Sequence, residues 1–167
     1  MFEKFNLPDD EERKEAVSVL SRCKEEILEE ILERKPLRIK VGPLEIMNDD
    51  MSEVDVVYAR VEAIDGSDKL QQMCDKIHAR FAASGLLCQE RWSRVKLHAT
   101  LLNTLFRSRI ENSARNTLDA RKLMEDFGHA TFGEITINEV HLSQRTSGVK
   151  RENGGYYRAS AIVKFNE

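Results

Sequence analysis

Arg94-Val95-Lys96-Leu97-His98-Ala99-Thr100-Leu101 alternates apolar and polar residues with a period of two, and the reading of the whole chain turns on that alternation. Successive side chains of an extended strand point to opposite faces. Val95, Leu97, Ala99 and Leu101 are therefore expected on one face, and Lys96, His98 and Thr100 on the other. The polar face then holds an imidazole two residues from a hydroxyl. Val140-His141-Leu142-Ser143-Gln144-Arg145 repeats the pattern, with Val140 and Leu142 directed inward and His141, Ser143 and Arg145 aligned on the other side. Two such strands, facing each other, would set two imidazoles and two hydroxyls around one small anion.

That set suits attack on a phosphodiester without a metal. One neutral histidine removes a proton from the nucleophile, while the other, protonated, donates to the leaving oxygen; a side chain that titrates near neutrality can do either. The hydroxyls of Thr100 and Ser143 would donate to nonbridging oxygens, and Arg145 or Lys96 would offset the remaining charge. A third copy, His129-Ala130-Thr131, follows Gly128 at a helix end and lacks a preceding apolar strand residue, so it reads as a turn. His78 lies in a charged helix and reads as a surface position. The competing readings of His98 and His141 are ordinary strand histidines or a mononuclear zinc site, for which no third ligand is marked.

Working outward, Ala16, Val19, Leu20, Cys23, Ile27, Leu28, Ile31 and Leu32 recur at three- and four-residue steps. They predict an amphipathic helix within residues 8–35, acidic in its first turn, with Arg34 and Lys35 in its last and Pro36 as its stop. Leu37–Val41 alternates as a strand, is turned or bulged by Gly42-Pro43, and resumes through Met47. A strand is expected over Val54–Val61, a helix from Asp68 through Phe81, a strand over Val95–Leu102 and a helix over Leu118–Phe127. Phe132–Gln144 forms one strand or two with a break at Asn138-Glu139, and Tyr156–Phe165 the last. Arg107–Asn116 shows no periodicity and is expected as a flexible loop. Helices separated by strands, without regular βαβ alternation, indicate an α+β fold with mainly antiparallel sheets. Either Tyr156 or Tyr157 must face away from the core, where its ring can stack on a base; a packing role is the alternative, as it is for Trp92.

With 167 residues, one domain able to bury a core is expected. Residues 1–90 hold 13 Lys+Arg against 21 Asp+Glu, a balance of −8, whereas residues 91–167 hold 13 against 8, a balance of +5. The net charge of −3 thus hides a basic second part that can attract phosphates, because screening confines each field to about 8–10 Å. Cys23, Cys74 and Cys88 are widely spaced and read as buried thiols. Neither a signal peptide nor an apolar span is visible, and a soluble intracellular chain is expected.

The strings Leu97-His98-Ala99-Thr100-Leu101-Leu102-Asn103-Thr104-Leu105-Phe106-Arg107 and Val140–Arg145, with Leu44–Asp50 ahead of Val54–Val61, resemble the two-histidine (2H) phosphoesterase superfamily. That superfamily includes bacterial and archaeal RNA ligase-like cyclic phosphodiesterases and a domain of an A-kinase anchoring protein. The closer likeness is to the phosphoesterase-like domain in a subunit of a helicase-containing transcription cointegrator complex. It covers residues 8–167 and implies a bilobal, pseudo-twofold fold with antiparallel sheets flanking a central cleft and helices outside. It implies catalytic roles for His98 and His141, phosphate binding by Thr100 and Ser143, and a possible contact from Arg145, without a cofactor. By resemblance the protein would be nuclear, a partner of RNA or nucleotide and of the complex's other subunits, and active in coactivation and the alkylation-damage response.

The KH RNA-binding module that precedes this domain in the closer family has no counterpart here, so either a trimmed piece or a short form, with reduced RNA affinity, is expected. The histidines are 43 residues apart, short for the superfamily, which a trimmed loop near Arg107–Asn116 or a missing lobe element would explain. Two further functions compete with catalysis. One is a nucleotide-binding module with little or no turnover. The other is a protein scaffold presenting Ala16, Val19, Cys23 and Ile27 of the first helix to a partner.

Overall fold

The computed structural model describes residues 10–87, 94–104, 117–144 and 157–165, and it shows an α+β fold whose sheets are built on antiparallel pairs. The expected loop at Arg107–Asn116, together with Cys88, Trp92, Arg145 and Tyr156, lies outside the described residues. The chain divides into two compact units. The first comprises Met1–Leu37, Ser67–Val95 and Thr136–Glu167, and the second Arg38–Gly66 and Lys96–Ile135.

In the first unit, α1 (Asp10–Glu26) opens with Asp10, Glu11 and Glu12, which suit the positive end of its dipole. The chain then widens into a π turn, Ile27–Ile31, closed by Leu32 N–H donating to the Ile27 carbonyl at 2.9 Å. The wide turn keeps Ile27, Leu28, Ile31 and Leu32 all buried. This corrects the expected helix end. Glu33 and Arg34 take positive φ values of 52° and 54°, and Arg34 N–H reaches back to the Leu28 carbonyl, so the chain reverses ahead of Pro36. Arg34 and Lys35 are consequently not in a last helical turn.

Helix α2 (Lys69–Ala83) runs beside α1, joined to it by Lys76 and Arg80 with Glu26 and to the π turn by Lys76 with Glu30, the two Lys76 contacts both at 3.0 Å. Solvent screening leaves such pairs little net effect on stability, whereas burying a phenylalanine side chain contributes about 1.5–3 kcal/mol. Phe81, 2% exposed, therefore does more to hold this unit than any one ion pair. It packs with Ala16, Val19 and Leu20 of α1 and with Leu142 and Val163 of a two-stranded sheet, β5 (Glu139–Ser143) and β6 (Ala159–Lys164). The apolar side of α1 is thus covered, with Ala16 and Cys23 at 0% exposure, and the sequence motive for a scaffold helix disappears.

The four-stranded sheet, most of whose residues belong to the second unit, has the strand order β3-β2-β1-β4, with β1 Leu37–Ile46, β2 Val56–Ala63, β3 His98–Asn103 and β4 Gly133–Ile137. The register of β1 on β2 shifts between Val41 and Leu44, so Gly42-Pro43 is a bulge within one strand. There Leu44 N–H donates to the Gly128 carbonyl and Phe132 N–H to the Val41 carbonyl. Gly42 has φ +117°, a region that disfavours other residues, and a Cβ on it would lie 2.5 Å from the Ala130 carbonyl oxygen.

One sheet face is covered by Leu118, Ala120 and α3 (Arg121–Phe127), whose Leu123 and Met124 meet Leu44, Val54, Val57 and Ala59. Leu118 is not helical as expected. It exchanges two 2.8 Å backbone bonds with Val54, which also sets Val54 apart from β2. The break expected at Asn138 is observed between β4 and β5.

Both described cysteines are buried. Burial, and secondarily Glu26, pushes the Cys23 thiol up, and burial pushes Cys74 up to about 11. Since the thiolate is the reactive form, alkylation of Cys23 and Cys74 by iodoacetamide at neutral pH is expected to wait for unfolding. Mass spectrometry of the native and urea-unfolded protein checks this; rapid native labelling of Cys74 would contradict it.

Candidate active site

His98 belongs to the second unit and His141 to the first, and each sits in its own setting. On β3, Thr100 pairs with Tyr58 and His98 with Arg60, while Tyr58 pairs with Glu45 of β1. Directly opposed residues share a sheet face, so Glu45, Tyr58, Arg60, His98 and Thr100 form one polar face. Ala59 and Ala99, between them, pack into the core beneath α3. Lys96, just ahead of β3, places Nζ 4.6 Å from the centre of the Tyr58 ring and 3.2 Å from Met47 Sδ.

The hydrogen bonding of this face is specific. Tyr58 Oη donates to Glu45 Oε2 at 2.7 Å, and Arg60 Nε donates to Glu45 Oε1 at 2.7 Å. The Tyr58 hydroxyl, and then Arg60, hold the Glu45 carboxyl below its usual range; burial, and then Glu45, push the Tyr58 phenol up. Glu45 is thus an anion and Tyr58 a neutral donor. The His98 ring meets Tyr58 edge-on, with centres 5.6 Å apart and planes at 77°.

His98 Nδ1 lies 2.8 Å from the Lys96 carbonyl oxygen. A carbonyl can only accept, so Nδ1 carries the hydrogen, and in the neutral ring Nε2 presents its lone pair. Lys96, His98 and Thr100 therefore share a face as the alternation required. Leu101 does not follow it. The register shifts between Val57 and Tyr58, which leaves Leu101 as the extra residue between Thr100 and Leu102, 52% exposed. A bulge interrupts period two, and the residue at its crest loses its place in the core.

On β5, Val140 and Leu142 face the core of the first unit, and Glu139, His141 and Ser143 alternate with them. His141 Nε2 lies 2.6 Å from Glu139 Oε1. Ser143 is exposed, and Tyr157 is half-buried just ahead of β6. His129 is exposed in the turn after α3, as its context suggested, whereas His78 is half-buried on α2 rather than at the surface. Sequence reasoning missed Glu45, Tyr58 and Arg60, which only cross-strand pairing brings to His98. It also missed Glu139, although a spacing of two from His141 was there to be used.

Among the described residues, no group of three His, Cys, Asp or Glu side chains could hold a metal ion, and no helix is long and apolar enough to cross a membrane. Residues 5–165 match the family described as the AKAP7 2'5' RNA ligase-like domain. The chain belongs to that family. This bears out the phosphoesterase likeness seen in the sequence, over nearly the whole chain. The chain is also similar to Activating signal cointegrator 1 complex subunit 1 of Mus musculus, 36% identical over 175 residues, which is 96% of this chain and 48% of the mouse protein. It thus spans about half the length of that relative. On this RNA ligase-like domain, the face around His98 offers a proton acceptor, a hydroxyl donor and an ammonium group within one short stretch of backbone.

Proposed function

We propose that this RNA ligase-like domain is a metal-independent phosphodiesterase acting on RNA-derived phosphodiesters, such as a 2′,3′-cyclic phosphate or an RNA 3′ end. His98 and His141 are the proton-transfer pair, one removing a proton from the attacking oxygen and the other protonating the leaving oxygen. Thr100 and Ser143 donate to the nonbridging oxygens. Lys96 offsets phosphate charge, with Arg145, Tyr156 and Tyr157 as further substrate contacts. The observation that carries the reading is the His98 setting, where a backbone acceptor on Nδ1 leaves Nε2 as the base beside a hydroxyl and a cation. The His-x-Ser segment on β5 supplies the second imidazole and hydroxyl. The name of the relative supports a place in a cointegrator complex; a nuclear location, roles in coactivation and the alkylation-damage response, and RNA and the helicase-containing complex as partners belong to the same proposal and rest on the family resemblance.

The test is incubation with 2′,3′-cyclic nucleotides and short RNAs in excess EDTA, followed by chromatography. Ring-opened product is expected with and without chelator, and loss of turnover on chelation would refute the mechanism. Lys96→Ala is expected to raise KM about tenfold with little change in kcat, since one charge-assisted contact is worth about 1.5–3 kcal/mol. The basic balance of residues 91–167 favours a second reading, nucleotide or RNA binding without turnover. In that case labelled RNA binds with strong salt dependence and stays intact.

A further inference from the structure

The two histidines are held in different ways. His98 is fixed through Nδ1 by the carbonyl of Lys96, a backbone group two residues earlier, whereas His141 is fixed through Nε2 by the side chain of Glu139, also two residues earlier. On β5, Val140 and Leu142 pack into the core, so the side chain of Glu139, at i−2, lies on the same side of the sheet as His141. A carboxylate accepts and does not donate, so the hydrogen of the Glu139–His141 contact is on Nε2. At 2.6 Å the pair is a short, charge-assisted bond. Its side chains are 25% and 41% exposed, a degree of solvent contact at which such a pair adds little to stability. Across the sheet, Lys164 is the residue in register with Glu139, and Ile162 with His141. The carboxylate nevertheless meets the imidazole.

We propose that Glu139 is the positioning residue of His141: its carboxylate holds Nε2–H and thereby sets the tautomer and rotation of the ring for proton transfer. The catalytic consequence rests on the role given to His141 above, while the ring geometry stands on β5 alone. Backbone holds His98 whatever side chain residue 96 carries, whereas the Nε2 contact of His141 is made by a side chain that can be replaced. Glu139 is thus a point at which that contact can be removed without touching the histidine.

The experiment uses the full chain, labelled with ¹⁵N, and long-range ¹H–¹⁵N spectra of its imidazoles at one pH. His141 signals are assigned by their loss in His141→Gln. The wild type is expected to show His141 protonated at Nε2. Glu139→Ala should give a tautomer mixture. Glu139→Asp, one methylene short, should behave likewise, while Glu139→Gln, whose amide oxygen still accepts, should keep the wild-type pattern. With a 2′,3′-cyclic nucleotide, the Ala and Asp variants should lose about tenfold or more in kcat with KM nearly unchanged, and Gln should recover most of that loss. A His141 tautomer indifferent to Glu139→Ala would overturn the proposal. So would an unchanged kcat, or tighter nucleotide binding in the Ala variant, which would make Glu139 a competitor of the phosphate. Absence of turnover in the wild type would instead defeat the proposed function, and the spectra would still decide whether Glu139 sets the ring.

Discussion

His98→Ala and His141→Ala are each expected to lower turnover of a 2′,3′-cyclic nucleotide by about 10²–10⁴-fold, with a far smaller effect on nucleotide affinity. That range is the usual contribution of a positioned acid or base, about 3–5 kcal/mol of barrier. The setting of His98 explains why its loss should be felt so strongly: with Nδ1–H committed to the Lys96 carbonyl, the ring has one nitrogen aimed for proton exchange, and among the described residues no second imidazole shares that face. Tyr58 stays a neutral phenol, and Glu45 is saturated by Tyr58 and Arg60. The double variant should be little slower than the worse single one, because groups that act as a unit are not additive. Single-turnover rates in EDTA measure this. Wild-type rates in both single variants would eliminate the proton-transfer pair, and a loss confined to one of them would restrict catalysis to a single histidine.

The largest effect on stability is expected from Gly42→Ala. The substitution forces an L side chain to φ +117° and drives its Cβ to 2.5 Å from the Ala130 carbonyl oxygen and 2.9 Å from Thr131 Cα. Backbone strain and overpacking together cost about 3 kcal/mol or more, a fall in Tm on the order of 10 °C for a chain of this size. Gly66→Ala is the control. Gly66 also has positive φ, +71°, but an added Cβ meets nothing within 4 Å, so only the conformational cost of about 1–2 kcal/mol applies. Urea unfolding of both variants compares them directly. Equal destabilisation would mean that the close passage of Ala130 and Thr131 over the bulge is not what requires glycine at position 42.

The same bulge shows how far local pattern reaches. Gly42-Pro43 between two alternating runs signalled an interruption, but not that hydrogen bonding would continue through it as one strand, because that depends on β2 shifting its register by one residue. On β3 the failure is sharper. Leu101 fits the apolar positions of the alternation and is nonetheless exposed, since the bulge opposite Val57 and Tyr58 is a property of the strand pair. The first helix was legible from its three- and four-residue steps, but not its π turn, which depends on keeping Ile27, Leu28, Ile31 and Leu32 all buried.

What this chain's residues determine unaided is local. Period two puts Lys96, His98 and Thr100 on one face and Glu139, His141 and Ser143 on another, because the pleat of a strand leaves a side chain no other choice. Which nitrogen of each histidine is tied down, and that Tyr58, Glu45 and Arg60 stand around His98, came only with the tertiary structure. Those contacts join β1, β2 and β3, or a side chain to its neighbour's carboxylate, and depend on register and rotamer, neither of which periodicity encodes.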